Sequence, residues 1–243
     1  MHLRSVDFHQ LKYPTKDFYP FNLSVFQQTK HITFDSPVSF FVGENGSGKS
    51  TLLKALSRSC GIYIWQELER TRYNRNPYED KFCDYLAIEW MDGRVPGSFF
   101  GSDIFHHFTQ ILDEWAAADP GQLMYFGGRS LITQSHGESL MSFFRSRYKI
   151  KGLYLLDEPE TALSPRSQLA LLELLMNTDS SDQTQFIIAT HSPILLACPQ
   201  ASIFSFDYSP IKKVRYEETE HYRIYKDFLE NRTNYLQRLR QAD

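Results

Sequence analysis

The stretch "GENGSGKS", Gly43 to Ser50, decides how this 243-residue chain is read. Its residues Gly43, Glu44, Asn45, Gly46, Ser47, Gly48, Lys49 and Ser50 match the phosphate-binding loop pattern G-x-x-x-x-G-K-[ST] in full. Glycines are needed there because successive backbone N–H groups must curl around phosphate oxygens with no Cβ in the way. Lys49 supplies a point charge and Ser50 a hydroxyl for a magnesium ion, and Thr51 extends the candidate nucleotide-binding set. The apolar run "VSFFVG" before the loop reads as a strand. After it, "KSTLLKALSRSCG" reads as a helix, with Leu52, Leu53 and Leu56 at helical spacing and Gly61 as the stop. A glycine-rich turn alone would mean little; its place between strand and helix is what the phosphate mechanism demands.

Working outward, "LRSVDFHQL", "FNLSVFQQTKHITF" and "VSFFVG" are short apolar and β-branched runs broken by polar turns, which suggests strands feeding one sheet. Between about Ile62 and Gly128 the pattern is less regular: "YLAIEWM" looks like a strand and "DIFHHFTQILDEWAAADPG" like a helix ended by Pro120-Gly121, the mark of a small, mostly helical insertion. From Gly152 the order is strand, helix, strand: "LYLLDEP", "SPRSQLALLELLMN", "QFIIATHSP", with Ser164 as N-cap and Pro165 in the first turn. Apolar strands alternating with helices argue for an α/β fold, a mostly parallel sheet flanked by helices. The tail "TEHYRIYKDFLENRTNYLQRLRQ" places Tyr222, Tyr225, Leu229, Leu236 and Leu239 along one helical face. The expected division is a single domain: residues 1–61 carry an N-terminal antiparallel β part and the loop, 62–150 the insertion, and 151–243 the later strands and the C-terminal helix.

Two further strands end in polar residues at the expected catalytic edge. "LYLLDEP" finishes on Asp157 and Glu158, which would hold magnesium and polarise an attacking water respectively, since phosphoryl transfer needs positioning and charge stabilisation more than covalent chemistry. "IIATHSP" finishes on His191, placed to hydrogen-bond a terminal phosphate or orient the water.

The stretch "TQSHGESLMSFF" puts two serines, a histidine and a carboxylate around one glycine. It lacks the glycine two before serine that a hydrolase nucleophile elbow requires. Taken in order, "GENGSGKS", "SHGES", "LLDEP", "ETALSP" and "THSP" resemble the ATP-binding-cassette class of ATPases, in particular its compact soluble branch of chromosome-maintenance, RecF-like and OLD-like proteins. The resemblance covers the chain from the N-terminal strands to about Pro193 and implies a P-loop NTPase fold of the ATPase-head type. It also implies ATP and Mg2+ as ligands, ATP hydrolysis with Glu158 and His191 as catalytic residues, Ser50 and Asp157 at the metal, and a homodimer formed on ATP binding. In that family a serine and a glycine at a helix N-terminus bind the γ-phosphate of ATP held by the opposite subunit; Ser135, His136, Gly137 and Glu138 take that place, Glu138 standing where many members have glutamine.

The chain departs from the family in lacking coiled-coil arms and a glutamine loop, for which Ser102 or Asp103 would substitute in "VPGSFFGSDIF". The missing glutamine counts against a transporter's ATPase subunit, and the presence of both Glu158 and His191 against a non-hydrolysing switch. The processes implied are DNA maintenance or anti-phage defence with a protein effector. Tyr19 in "DFYPF" is a candidate to stack on adenine. The basic run Arg145, Arg147, Lys149 and Lys151 offers a DNA contact or, more simply, a solvated face. In "YEETEHY" no role falls to Glu218, Glu220 or His221 beyond that of a solvated helix start.

Bulk properties bound the rest. With 26 basic and 29 acidic side chains the net charge is −3, so no global positive field draws the chain to nucleic acid or anionic lipid. Cys60, Cys83 and Cys198 are odd in number and far apart, against a disulfide framework or zinc site. No apolar run approaches the roughly 20 residues of a membrane helix and no export signal is present, so a cytoplasmic protein without direct membrane insertion is expected.

Overall fold

The computed structural model describes residues 1–64, 76–101, 136–178 and 183–241. Among these are nine strands. Three form an antiparallel sheet in the order β2-β1-β4, with β1 at Leu3–Phe8, β2 at His31–Thr33 and β4 at Leu86–Trp90. The other six form the main sheet in the order β5-β6-β7-β3-β8-β9, with β3 at Val38–Val42, β5 at Gly97–Gly101, β6 at Gly152–Asp157, β7 at Thr184–Ala189, β8 at Ser202–Ser205 and β9 at Lys212–Val214. All its pairings are parallel except β8 with β9. The helices are α1 (Ser24–Gln28), α2 (Lys49–Ser59), α3 (His136–Arg147), α4 (Pro165–Met176), α5 (Pro193–Leu196), α6 (Glu220–Glu230) and α7 (Arg232–Gln241). None of the described helices is long and apolar enough to cross a membrane.

Strand alternation splits the interior into two cores. Phe41, Leu153, Leu155, Ile187 and Ala189 face one way, against α2, α1 and the antiparallel sheet. Their neighbours Phe40, Val42, Tyr154, Leu156, Phe186 and Ile188 face the other, against α3, α4 and α5. Both faces are covered, which is why the central strands read as unbroken apolar runs. The two sheets are fastened by a polar residue inside an apolar strand: buried Gln185 accepts from the amides of His2 and Leu3, each at 2.7 Å, and donates to the Leu3 carbonyl at 3.0 Å. Every polar atom of that side chain that can bond does so, and its burial is tolerated on that account.

The early strands do not feed one sheet. β1 leaves Arg4 and Asp7 exposed, whereas β3 is buried at every position and sits between β7 and β8. Within "FNLSVFQQTKHITF" the residues Ser24–Gln28 turn into helix α1, burying Val25 and Phe26, before β2 begins. Between 62 and 150 the described segment 76–101 contributes β4 to the antiparallel sheet and β5 to the edge of the main sheet; the stretch read as a helix there lies outside the described residues. The tail helix is interrupted at Asn231, whose φ of −129° and ψ of 37° leave the helical region, and α7 folds back so that Tyr235 meets Phe228 edge-on at 5.6 Å. The stripe seen in the sequence is therefore not one continuous face, and Tyr225 and Leu229 on α6 are exposed.

Candidate functional site

Register alone gathers the chemistry. Phe41 of β3 pairs with Ala189 of β7, and Ala189 pairs with Asp157 of β6, so the carboxyl ends of three adjacent strands lie level. Just beyond that row come the glycine loop, Glu158 and His191. A crevice outside the carboxyl ends of parallel strands is where open α/β sheets bind ligands.

The loop is held by backbone conformation. Gly48 caps α2 at φ +105°, and a Cβ there would stand 2.8 Å from Phe26 Cζ. Gly43, at φ +148°, would put a Cβ 2.9 Å from Asp207 Oδ1. Asp207, just past β8, accepts the Glu44 amide at 2.9 Å and pins the loop's first turn. Lys49 is 4% exposed, with Nζ donating to the carbonyls of Gly43 at 2.6 Å and Glu44 at 2.9 Å. Burial pulls its pKa down, while Glu158, Asp207, Asp157 and Glu44 oppose that pull. The Ser47 hydroxyl is buried without a partner, an orphan that a phosphate oxygen would satisfy. Asn45, Gly46 and Glu44 lie exposed at the mouth.

Ser50 Oγ donates to Asp157 Oδ1 at 2.7 Å, joining the helix that follows the loop to the end of β6. Among the described residues no group of three or more His, Cys, Asp or Glu is arranged around a metal. Two oxygen ligands nonetheless fit magnesium, which usually keeps several waters and takes one or two protein ligands plus substrate phosphates. Glu158 has φ +47° and ψ +55°, a left-handed conformation rare outside glycine, and its amide donates to the Ala189 carbonyl at 2.9 Å. Its Oε1 lies 3.7 Å from His191 Nε2.

His191 is placed by two residues that reading by motif missed. Glu160, in the turn after β6, accepts the His191 amide at 2.6 Å. Its burial raises the carboxyl pKa, against hydrogen bonds that lower it. His221, at the start of α6, brings Nε2 to 2.8 Å from His191 Nδ1. Glu220 is exposed in the first turn of α6, and Glu218, at the end of the short 3-10 turn Tyr216–Glu218 that precedes it, accepts the Arg215 amide at 2.8 Å. His221 instead turns inward. The sequence sign of this was a histidine two positions after Thr219, which caps α6 by accepting the Tyr222 amide at 3.3 Å.

Tyr19 hydrogen-bonds Thr51 through its hydroxyl and lines a cavity of about 190 Å³ with Ser50, Thr51, Lys54 and Arg58, beside the phosphate loop. Ser135 lies outside the described residues, as do Ser102 and Asp103. Of His136 and Gly137 only the helical backbone is described; α3 begins at His136 with Glu138 exposed in its first turn. Arg145, Lys149 and Lys151 are exposed at the far end of α3 and the turn beyond.

This is a P-loop NTPase fold, with a mostly parallel sheet, a separate antiparallel sheet and the glycine loop at the sheet's carboxyl edge. Two family profiles match it: "AAA domain" over residues 18–81, which hold the phosphate loop, and "AAA domain, putative AbiEii toxin, Type IV TA system" over residues 140–197, which hold Asp157, Glu158 and His191. The petrobactin import ATP-binding protein FpuD of Bacillus anthracis is 22% identical over 178 residues, covering 68% of this chain and 65% of that protein; the chain thus spans less than two thirds of the length of this curated relative. A solved structure described as "An inward-facing conformation of a putative metal-chelate type ABC transporter" superposes with a TM-score of 0.50 at 16% identity, over 89% of this chain and 84% of that one. The SMC head domain from Thermotoga maritima gives 0.43 at 17%, over 88% and 99%. The chain thus has the P-loop NTPase fold, with AAA-domain profiles matching the segment that holds its phosphate loop and the segment that holds Asp157, Glu158 and His191.

Proposed function

We propose that the chain binds Mg-ATP on the phosphate loop and hydrolyses it, as a head-to-tail homodimer whose two sites are completed across the interface. The hydrogen bond from Ser50 to Asp157 carries this reading, because it brings two hard oxygen ligands together beside a buried lysine at the loop's edge. Magnesium held by Ser50 and Asp157 supplies charge neutralisation for the phosphates. Lys49 and the loop amides bind those phosphates, Glu158 polarises the attacking water, and His191 orients the terminal phosphate. Tyr19 packs against the base. Ser135, with His136, Gly137 and Glu138 at the start of α3, serves the nucleotide of the opposite subunit, where a helix N-terminus and a hydroxyl stabilise negative charge.

The work driven by closure is read as gating a protein effector or acting on DNA, supported by the toxin–antitoxin description of the profile over residues 140–197. A transporter's ATPase subunit is the second reading, supported by the likeness to a petrobactin import ATP-binding protein. The composite site is tested by Ser135→Arg. ATP binding on its own Lys49 loop stays normal by calorimetry, while closure in ATP, followed by sizing, and hydrolysis both fail. Mixed with Lys49→Ala, it restores at most one site per dimer, since one interface then carries both defects and the other neither. Normal hydrolysis by monomeric Ser135→Arg would show that the site is complete in one chain.

A further inference from the structure

The C-terminal segment reaches back to the histidine loop at two points. Tyr216 OH donates to the Pro193 carbonyl at 3.0 Å, and His221 Nε2 meets His191 Nδ1 at 2.8 Å with the ring centroids 4.9 Å apart. Thr219, buried, caps the helix that carries His221 and so fixes where that ring starts. Neither His191 Nε2 nor His221 Nδ1 has a hydrogen-bond partner of its own, and both atoms are shut off from solvent. The geometry points to His221 as a positioning residue of the nucleotide site: it donates its Nε2–H to His191 Nδ1 and thereby sets His191 as the Nε2–H tautomer facing Glu158 and the phosphate loop. This rests on the ATPase reading for its consequence, though not for the tautomer itself.

The direction of the bond follows from what each outer nitrogen faces. Burial holds both imidazoles below the ordinary histidine pKa, with Lys49 adding to the effect at each, so at neutral pH each ring carries one N–H and a single hydrogen lies between them. If His191 donated, its Nε2 would be a bare acceptor turned toward the Glu158 carboxylate at 3.7 Å, acceptor against acceptor, and His221 would bury an orphan N–H. If His221 donates, His191 Nε2–H faces a carboxylate and, with nucleotide bound, phosphate oxygens; the orphan left on His221 is an acceptor. Each arrangement buries one unbonded N–H, and the Glu158 carboxylate beside His191 Nε2 is what favours placing the hydrogen there. The arrangement matches the way a metal-ligating histidine is oriented by a partner on its other nitrogen.

The test compares wild type, His221→Gln, whose amide can still donate, and His221→Ala. Long-range proton–nitrogen correlation spectra of the imidazoles, on the full chain without nucleotide, should show His191 protonated at Nε2 in the wild type and in the Gln variant, and a mixture of tautomers in the Ala variant. Steady-state kinetics should show His221→Ala lowering kcat by about 10-fold to 100-fold, as for a residue that orients an essential group, with KM for ATP within about twofold, and His221→Gln recovering most of kcat. A His191 protonated at Nδ1 in the wild type, or a tautomer unchanged in His221→Ala, would overturn the assignment, as would equal loss of kcat in the Gln and Ala variants. Should the wild type turn over no ATP, the ATPase reading fails and the spectra still decide the role of His221. Should His221→Ala not fold, the wild-type and Gln spectra carry the decision.

Discussion

The phosphate loop and the histidine loop follow adjacent strands, β3 and β7, at the same sheet edge, yet they are held by different means. The phosphate loop is fixed by its own backbone: left-handed glycines, an α2 helix that starts within it, and one carboxylate, Asp207, on the Glu44 amide. The histidine loop is fixed by side chains from elsewhere, Glu160 on the amide of His191 and His221 on its ring. A loop that needs a rare backbone must write that need into a contiguous motif. A loop held by distant partners writes it in scattered residues whose only common property is that they meet in the fold.

That contrast can be broken at several strengths. Lys49→Ala should have the largest effect, removing measurable nucleotide binding by calorimetry, because the lost ammonium leaves phosphate charge uncompensated in a site built for it. Undiminished affinity would separate the glycine loop from nucleotide altogether. Gly48→Ala should follow, costing about 1–3 kcal/mol of stability in denaturant unfolding, since it combines a left-handed backbone with a Cβ that would meet Phe26. An unfolding midpoint equal to wild type would mean the backbone of this loop is not the restraint it is taken to be. Where the C-terminal segment meets the histidine loop, Tyr216→Phe should cost less, about 0.5–1.5 kcal/mol, the net worth of the bond to the Pro193 carbonyl.

The smallest effect is one of pH. The folded pKa values of His191 and His221 lie below the ordinary histidine value, so both rings favour their neutral forms in the folded chain. Their stabilisation is complete above the unfolded value of about 6.5 and is lost as pH falls through the folded values. Thermal melts should therefore show stability declining on acidification below that point, and His221→Ala should flatten part of the decline. A variant that melts with the full wild-type pH dependence would take His221 out of the linkage.

The same distinction governs what could be read in the chain beforehand. Gly43 to Ser50, the Asp157 and Glu158 strand end and His191 were legible because each sits at the end of an apolar run, and α2 and α4 because leucines repeat at helical spacing between a start and a stop. Ser164 caps α4 as its residue type suggests, accepting the Ser167 amide. Helix α1 was not legible: "SVFQQ" makes barely more than one turn and is held by burial of Val25 and Phe26 in a core assembled from other strands. Nor was the break at Asn231, where the fold-back of α7 brings Tyr235 against Phe228 rather than following any strong stop residue. Glu160, Asp207 and His221 are polar residues of ordinary appearance, and their importance exists only as distances of 2.6, 2.9 and 2.8 Å to groups remote in the chain.

The central claim is that this sheet edge hydrolyses ATP through Glu158, and one variant addresses it directly. Glu158→Gln preserves the shape of the side chain but cannot polarise water. Measured side by side, it should bind Mg-ATP as the wild type does while its turnover falls by roughly two orders of magnitude or more. Hydrolysis by Glu158→Gln at near the wild-type rate would contradict the account.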